Sequence, residues 1–469
     1  MEHLTALDAA FLGVEDSDPH VSLAIGGVSI MEGPAPSYDE FVSTYAQRVQ
    51  GIPRCGQVLR THPLDLGPPE WVDDPHFDIS RHLHRVALPH PGGDAELFET
   101  IATSMERRLD RERPLWDCFL IEGLSDKRWA VLTKVHHCIA DGIATTQMLA
   151  KFSDEGGGAT FASDIRGATQ PVRHGLGLPT VGLNPVSWMR GIGRTALAAA
   201  SAAERAAVGA AELTASLLRP APDSSLNGPV TTMRRYGAAR VRLADMQKVS
   251  RAFGVTLNDV ALAAITNSYR GLLLDRGEHL GRASLRTLVP VSVRPVNHFS
   301  VTDNQVSAIL PLLPVDEADP VQQLQLVHNR LARAKASGQI EGGSAMFLAA
   351  KNAPFALSAL AVRLLSRLPQ RAIVALATNV PGPRSQQSLM GRRVLEMLPI
   401  PPIALRVRTG IAMVSYADAF TFGITADYDT APDIRALAAG IENGVAQLVA
   451  ASRSRRRKLA PTRPTAVGV

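Results

Sequence analysis

Seven consecutive residues, His136-His137-Cys138-Ile139-Ala140-Asp141-Gly142, concentrate the chemistry of this chain. Histidine titrates near neutrality, so it can take a proton from a hydroxyl group and return it to a leaving group. The aspartate supplies a charge partner, and the glycine lets the backbone pass close to a substrate. A base, a charge partner and a flexible turn in so short a stretch point to acyl transfer. Zinc binding by His136, His137 and Asp141 fits less well, because adjacent histidines on a strand diverge, unlike an i, i+4 pair on a helix. Cys138 beside a histidine is a second candidate nucleophile.

These side chains must be held by what flanks them. Trp129 to Val135 is β-rich and runs straight into the two histidines, and Ile143 to Phe152 reads as a helix beginning at Asp141-Gly142. The motif therefore occupies a strand-to-helix turn, a common place for an active group. Upstream, Val21 to Ile30 reads as a strand and Tyr38 to Val49 as a helix. Leu97, Ile101, Met105 and Leu109 recur every four residues as one apolar helix stripe, with Asp94 near its start as a cap.

Residues 154–185 are rich in Gly, Pro and Ser and read as loop. An Ala-rich helical stretch, Met189 to Leu218, follows and ends at Arg219-Pro220-Ala221-Pro222. A second domain begins near Ser225-Leu226-Asn227-Gly228-Pro229. It holds a helix through Thr256 to Val260, a strand around Thr287 to Val291, and late strands at Ile411 to Val414 and Phe420 to Thr425. Mixed strands and helices in two halves make this an α/β chain. The expected division is an N-terminal domain over 1–185, a helical linker over 186–224, a C-terminal domain over 225–452 and a flexible basic tail over 453–469.

At 469 residues, 45% hydrophobic and 20% charged, the chain has the size and composition of two globular domains. Its three scattered cysteines, Cys55, Cys118 and Cys138, argue against a disulfide framework and for a reducing compartment. The start, Met1-Glu-His-Leu-Thr5, lacks a signal-peptide pattern, and there is no apolar run of about 18 residues to cross a membrane. A cytoplasmic location follows as the expectation. The net charge of +5 is carried by the end of the chain. Arg453, Arg455, Arg456, Arg457, Lys458 and Arg463 lie in the last 17 residues, and without them the remainder stands at −1. A near-neutral body argues against a nucleic-acid groove. The basic end is either solvated or touches anionic lipid, at about 1 kcal/mol per residue near a surface.

An ordered series of segments over nearly the whole length resembles the bacterial wax ester synthase/diacylglycerol acyltransferase family, including mycobacterial-type triacylglycerol synthases. Leu4-Thr-Ala-Leu7-Asp8-Ala-Ala-Phe11-Leu12 resembles the family's opening, and Pro114-Leu115-Trp116 its segment ahead of the His-His-x-x-x-Asp-Gly site. Leu226-Asn227-Gly228-Pro229 with Arg234-Arg235, then Asn258-Asp259-Val260, resemble its second-domain entry and Asn-Asp segment. Pro290 to Arg294, Asn304 to Ser307, Thr378 to Pro383, and Ser415-Tyr416 complete the series.

The resemblance implies two chloramphenicol acetyltransferase-like domains facing each other, with a tunnel bringing acyl-CoA and an alcohol to the histidine. It implies transfer of a long-chain acyl group to diacylglycerol, or to a fatty alcohol, with acyl-CoA as co-substrate and no metal or other cofactor. His137 becomes the general base, and His136 either acts directly or supports it. Asp141 shapes the site through an ion pair, with Arg294 a plausible partner, and Gly142 admits the substrate. Asn258, Asp259, Arg294 and Asn304 support the site, while Asn379, Thr378 and Ser307 are candidate donors to the oxyanion of the tetrahedral intermediate. Cys138 stands where the family accepts other small residues, which argues against covalent catalysis. Water-insoluble substrates imply peripheral contact with a membrane or lipid inclusion. The competing readings are a condensation-type or polyketide-associated acyltransferase with a carrier-protein donor, and a weakly active lipid-binding or droplet protein.

Overall fold

The computed structural model describes residues 2–62, 67–139, 151–156, 160–161, 207–217, 219–221, 223–281, 285–292, 306–340, 342–345, 355, 360 and 370–459. The first half contains β1 (Glu2–His3), α1 (Ala6–Ser17), β2 (Ala24–Met31), α2 (Tyr38–Val49), β3 (Gln57–Arg60), β4 (Glu70–Asp73), β5 (Leu83–Ala87), α3 (Asp94–Glu106), β6 (Trp116–Leu124) and β7 (Arg128–His136). Residues 207–217 are helical. The second half contains β8 (Arg234–Arg242), α4 (Leu243–Phe253), α5 (Leu257–Asp275), β9 (Thr287–Ser292), β10 (Val306–Ile309) and α6 (Pro320–Ala336). There follow β11 (Ala375–Pro381), β12 (Ser388–Leu389), β13 (Arg392–Ile400), β14 (Thr409–Tyr416), β15 (Ala419–Asp427) and α7 (Ile434–Leu459).

Two mixed six-stranded sheets dominate, ordered β12-β13-β2-β7-β6-β5 and β10-β9-β11-β14-β15-β8. A small antiparallel sheet, β1-β4-β3, pins the N-terminus. The first large sheet is buried on both faces. Ala130 and Leu132 of β7 pack with Leu97, Ile101 and Met105 of α3 on one side. Trp129, Val131 and Val135 pack with Phe41, Tyr45 and Val49 of α2 on the other. A strand covered on both faces has no polar side, which is why β7 reads as an almost continuous apolar run. Fully burying a residue such as Phe41 contributes about 1.5–3 kcal/mol. In the second half, α5 is enclosed by the sheet and by α4, α6 and α7, and Val260 to Ile265 are all buried.

The sheets do not follow chain order throughout. β12 and β13, from the second half, belong to the first sheet, where Ile400 pairs with Gly26 and Met397 with Ser29. Without them β2 would leave a row of unpaired backbone groups at the sheet edge. The crossing brings β13 onto β15 so closely that a Cβ on Gly423 would lie 1.7 Å from the Pro399 carbonyl oxygen. The same carbonyl accepts from Tyr236 Oη at 3.0 Å.

Two local expectations are corrected. Asp94 is the first residue of α3 and its cap is Gly93, whose N–H donates to Glu96 at 2.8 Å. Asp94 instead pairs with Arg240 of β8 at 2.6 Å, across the two sheets. The basic end, expected to be flexible from 453, continues as helix to Leu459. No Gly or Pro falls between Gly444 and Pro461, and Ala, Arg and Lys favour helix.

Candidate active site

The two histidines lie at the end of β7 and just beyond it, and α1 meets both. Thr5 caps α1, accepting from the Asp8 N–H at 3.2 Å, and Leu4 N–H donates to the Pro69 carbonyl at 2.7 Å. The helix is thereby placed with Phe11 and Glu15, four residues apart and so on one face, toward the motif. The Phe11 ring stacks on the His137 imidazole, with centroids 4.2 Å apart and planes at 29°. Glu15 accepts from His136 Nε2 at 3.0 Å, and both side chains are almost fully buried.

His136 is engaged at both nitrogens. The Cys138 N–H donates to Nδ1 at 3.1 Å, so the ring carries its proton on Nε2, directed at Glu15. Glu15 also accepts from the Leu23 N–H at 3.2 Å and from Arg111 Nη2 at 3.0 Å. Burial pushes the Glu15 carboxyl up, but the hydrogen bonds from His136 and Arg111 and the positive charge beside it outweigh it and bring it to about 2. Arg108 ties the same region together by donating to the carbonyls of Val21, Glu15 and Asp18. His137 is half-buried, and its N–H donates to the Leu23 carbonyl at 3.1 Å. The second ring is thus oriented by an aromatic neighbour while the first is locked into an ionic network.

Asp141, Gly142, Arg294 and Asn304 lie outside the described residues. Beyond the motif, Asp154 and Glu155 are fastened to β12 and the turn between β12 and β13, and Phe161 to the end of β11. Asp154 accepts from the N–H groups of Met390 at 3.0 Å and Gly391 at 2.8 Å, and Glu155 accepts from Ser388 Oγ at 2.6 Å. The Phe161 N–H donates to the Gly382 carbonyl at 3.1 Å. The two ends of this connection are therefore held by different sheets.

On the second sheet, Asn379 Nδ2 donates to Asn258 Oδ1 at 3.4 Å, joining β11 to the first turn of α5. Asn379 Oδ1 is buried and has no partner among the described residues. Thr378 points to the opposite face of β11, since strand neighbours alternate. Ser307 Oγ donates its one proton to the Ile340 carbonyl at 2.8 Å, which commits it to structure. Asp259 forms a capping box with Thr256 and accepts from His328 Nδ1 at 2.8 Å. It anchors the helix start beside Asn258.

Among the described residues no group of three or more His, Cys, Asp or Glu side chains could hold a metal ion. All three cysteines are free and buried, and burial raises the Cys138 thiol well above its ordinary range, so it stays a thiol. Among the described residues no helix is long and apolar enough to cross a membrane. Sequence reasoning assigned no role to Phe11, Glu15 or Arg111. The available signal was the i, i+4 spacing of Phe11 and Glu15, with a carboxylate closing an otherwise apolar helix face.

Residues 4–261 match the family model of the wax ester synthase/diacylglycerol acyltransferase catalytic domain, and residues 302–448 match the model of the family's C-terminal domain. A Mycobacterium tuberculosis protein carrying the name "Probable diacyglycerol O-acyltransferase tgs1" is 53% identical over 456 residues, covering 97% of each chain. Among solved structures, the wax ester synthase/diacylglycerol acyltransferase from Marinobacter aquaeolei VT8 is similar at 26% identity and a TM-score of 0.66, over 96% of this chain and all of that one. The first condensation domain of the CDA synthetase shares the fold at 15% identity and a TM-score of 0.61, over 96% and 98% of the two chains. With a histidine motif at the end of a buried strand, two mixed six-stranded sheets and both family domains in order, the chain belongs to the wax ester synthase/diacylglycerol acyltransferase family.

Proposed function

We propose that this enzyme transfers a long-chain acyl group from acyl-CoA to the free hydroxyl of diacylglycerol, with His137 as general base. The observation that carries this reading is the stacking of Phe11 on His137 beside a His136 that is already committed to Glu15. With both ring nitrogens of His136 engaged in fixing the end of β7, the general-base role goes to His137, the position that the family resemblance assigns to it. Its nitrogen takes the proton of the acceptor hydroxyl as that oxygen attacks the thioester carbonyl. The tetrahedral intermediate places negative charge on the former carbonyl oxygen, where an amide or hydroxyl donor from β11 would stabilise it. Collapse breaks the carbon–sulfur bond, and the proton passes from His137 to the departing CoA thiolate. Transfer to fatty alcohols follows the same steps with a different acceptor.

Asp141 is assigned to shaping the turn, with Arg294 as its partner, and Gly142 to admitting the substrate. Asn258, Asp259 and Asn304 support the second-sheet wall. A tunnel between the two sheets would bring the two substrates to His137 from opposite ends. Diacylglycerol and long-chain alcohols are insoluble in water, so the enzyme works at a membrane or lipid-inclusion surface from the cytoplasmic side, with no spanning helix among the described residues. The test is product analysis with labelled palmitoyl-CoA and either diacylglycerol or hexadecanol. Labelled triacylglycerol, formed only when diacylglycerol is present, is the expected result. Acyl transfer seen only from a carrier-protein thioester would overturn the assignment.

A further inference from the structure

Residues 18–23, between α1 and β2, form neither helix nor strand, so their backbone groups need partners from elsewhere. The segment ends against the motif. The Leu23 carbonyl accepts from the His137 N–H at 3.1 Å, and the Leu23 N–H donates to Glu15 at 3.2 Å. Two arginines hold the carbonyls that precede it. Arg108, between α3 and β6, donates to those of Asp18 and, at 2.8 Å, Val21. Arg234, at the start of β8 in the second sheet, donates from Nη2 to that of His20 at 2.7 Å, across 214 positions of sequence.

Arg234 is only 5% exposed. Its Nη1 donates to the carbonyls of Thr231 and, at 3.0 Å, Met233. Among the described residues its side-chain hydrogen bonds therefore all end on backbone oxygens, and no carboxylate pairs with it. The charges of Asp427, Glu106 and Asp18 reach it only at longer range. A guanidinium is costly to bury unless acceptors match its N–H groups. Here its planar fork fixes three carbonyls relative to one another, which the single ammonium of a lysine does not reproduce.

Packing repeats the tie. Val21 and Leu23 form a buried cluster with Val230 and Ile403 of the second half, and Phe11 packs against it. Phe11 is the ring stacked on His137. The backbone partner of His137 and its aromatic neighbour thus both rest on residues from the second half of the chain.

We propose that Arg234 is a positioning residue for acyl transfer. From the second half it grips residues 18–23 and, through the Leu23 carbonyl and Phe11, sets the orientation of the His137 imidazole. The proposal rests on the general-base reading of His137. Without the guanidinium the His20 carbonyl is released and the segment shifts, and a small displacement of a base is enough to slow proton transfer. The loss falls on kcat and not on donor binding, because the guanidinium contacts the protein's own backbone.

The test compares wild type with Arg234→Lys, and with Arg276→Lys as a control that weakens the Arg276–Asp433 ion pair inside the second half. In Arg234→Lys, kcat for palmitoyl-CoA and diacylglycerol should fall about tenfold, with the Kd for palmitoyl-CoA changed less than about twofold. The imidazole NMR resonances of His137, assigned by their loss in His137→Ala, should move in Arg234→Lys and stay in place in Arg276→Lys. Combined with Phe11→Ala, the loss should be about tenfold to thirtyfold, well short of the product of the two single losses, because both act on the same ring. Val230→Ala loosens the segment from the packing side and keeps the test open should Arg234→Lys not fold; it should lower kcat and move the same resonances. Unmoved His137 resonances in whichever of these variants folds would overturn the proposal. So would an unchanged kcat, or a loss matched by Arg276→Lys at equal Tm. Resonances that move in Arg234→Lys, in an enzyme whose His137→Ala variant keeps full activity, would support the tie and refute the general-base reading instead.

Discussion

At the scale of single residues, two neighbouring histidines of identical chemistry are given different work by one helix. His136 is spent on Glu15 and on the backbone of Cys138, so it fixes the end of β7. His137 keeps its ring in a stack with Phe11. Phe11→Ala removes a wall of the His137 site without touching its nitrogens. The expected outcome is a fall in kcat on the order of tenfold with a smaller change in KM, measured by CoA release. Glu15 gives a stability prediction with a definite sign. Its folded-state pKa of about 2 lies below the ordinary 4.5, so its contribution is present above about pH 4.5 and is lost as pH falls toward 2. Glu15→Gln should cost about 3 kcal/mol of unfolding free energy at pH 6, with the gap to wild type narrowing below pH 4.5. Urea titrations across that range check it. A gap that stays constant with pH would remove the ionic network from the account.

At the scale of elements, what could be read from sequence was local. The helix Tyr38 to Val49 and the strands at 129–135, 287–291, 411–414 and 420–425 were legible because each carries its own apolar pattern. The motif's place at the end of β7 was legible for the same reason. The insertion of β13 beside β2 was not, because nothing in Arg392 to Ile400 says which sheet it joins. Nor was the meeting of α1 with the histidines, which pairs Glu15 with a residue 121 positions away. Ser307 lost its candidacy as an oxyanion donor through a contact with Ile340 that only folding creates. The crossing of β13 over β15 supplies a prediction at this scale. Gly423→Ala places a methyl group against the Pro399 carbonyl, with no flexible side chain to yield. A loss of roughly 3 kcal/mol is expected, visible as a lowered Tm, with the same substitution at the open Gly271 far milder.

At the scale of the whole molecule, the two sheets are joined by polar ties as well as by β13. Arg240 of β8 reaches Asp94 of α3 and Glu396 of β13, each at 2.6 Å, and the Arg234 N–H donates to Glu106 at 2.9 Å. Such ties keep both walls of the proposed substrate path in register with His137. The basic end of α7 bears on the proposed work at a lipid surface, because positive charge at one end would be drawn to anionic headgroups. A chain ending at Ser452 should float less with vesicles containing phosphatidylglycerol, by about 1 kcal/mol per removed cation that reaches the surface, and should show little change with neutral vesicles. Unchanged flotation would assign the basic end to solvent.

The most direct test of the account is the reaction of palmitoyl-CoA with diacylglycerol, followed by CoA release and triacylglycerol formation in wild type and His137→Ala, alongside palmitoyl-CoA binding by both. The account predicts that wild-type turnover depends on the acceptor and that the variant loses on the order of 10³-fold in kcat while still binding the donor. Acceptor-dependent triacylglycerol synthesis at near wild-type rate in His137→Ala would contradict it and move the chemistry to another residue.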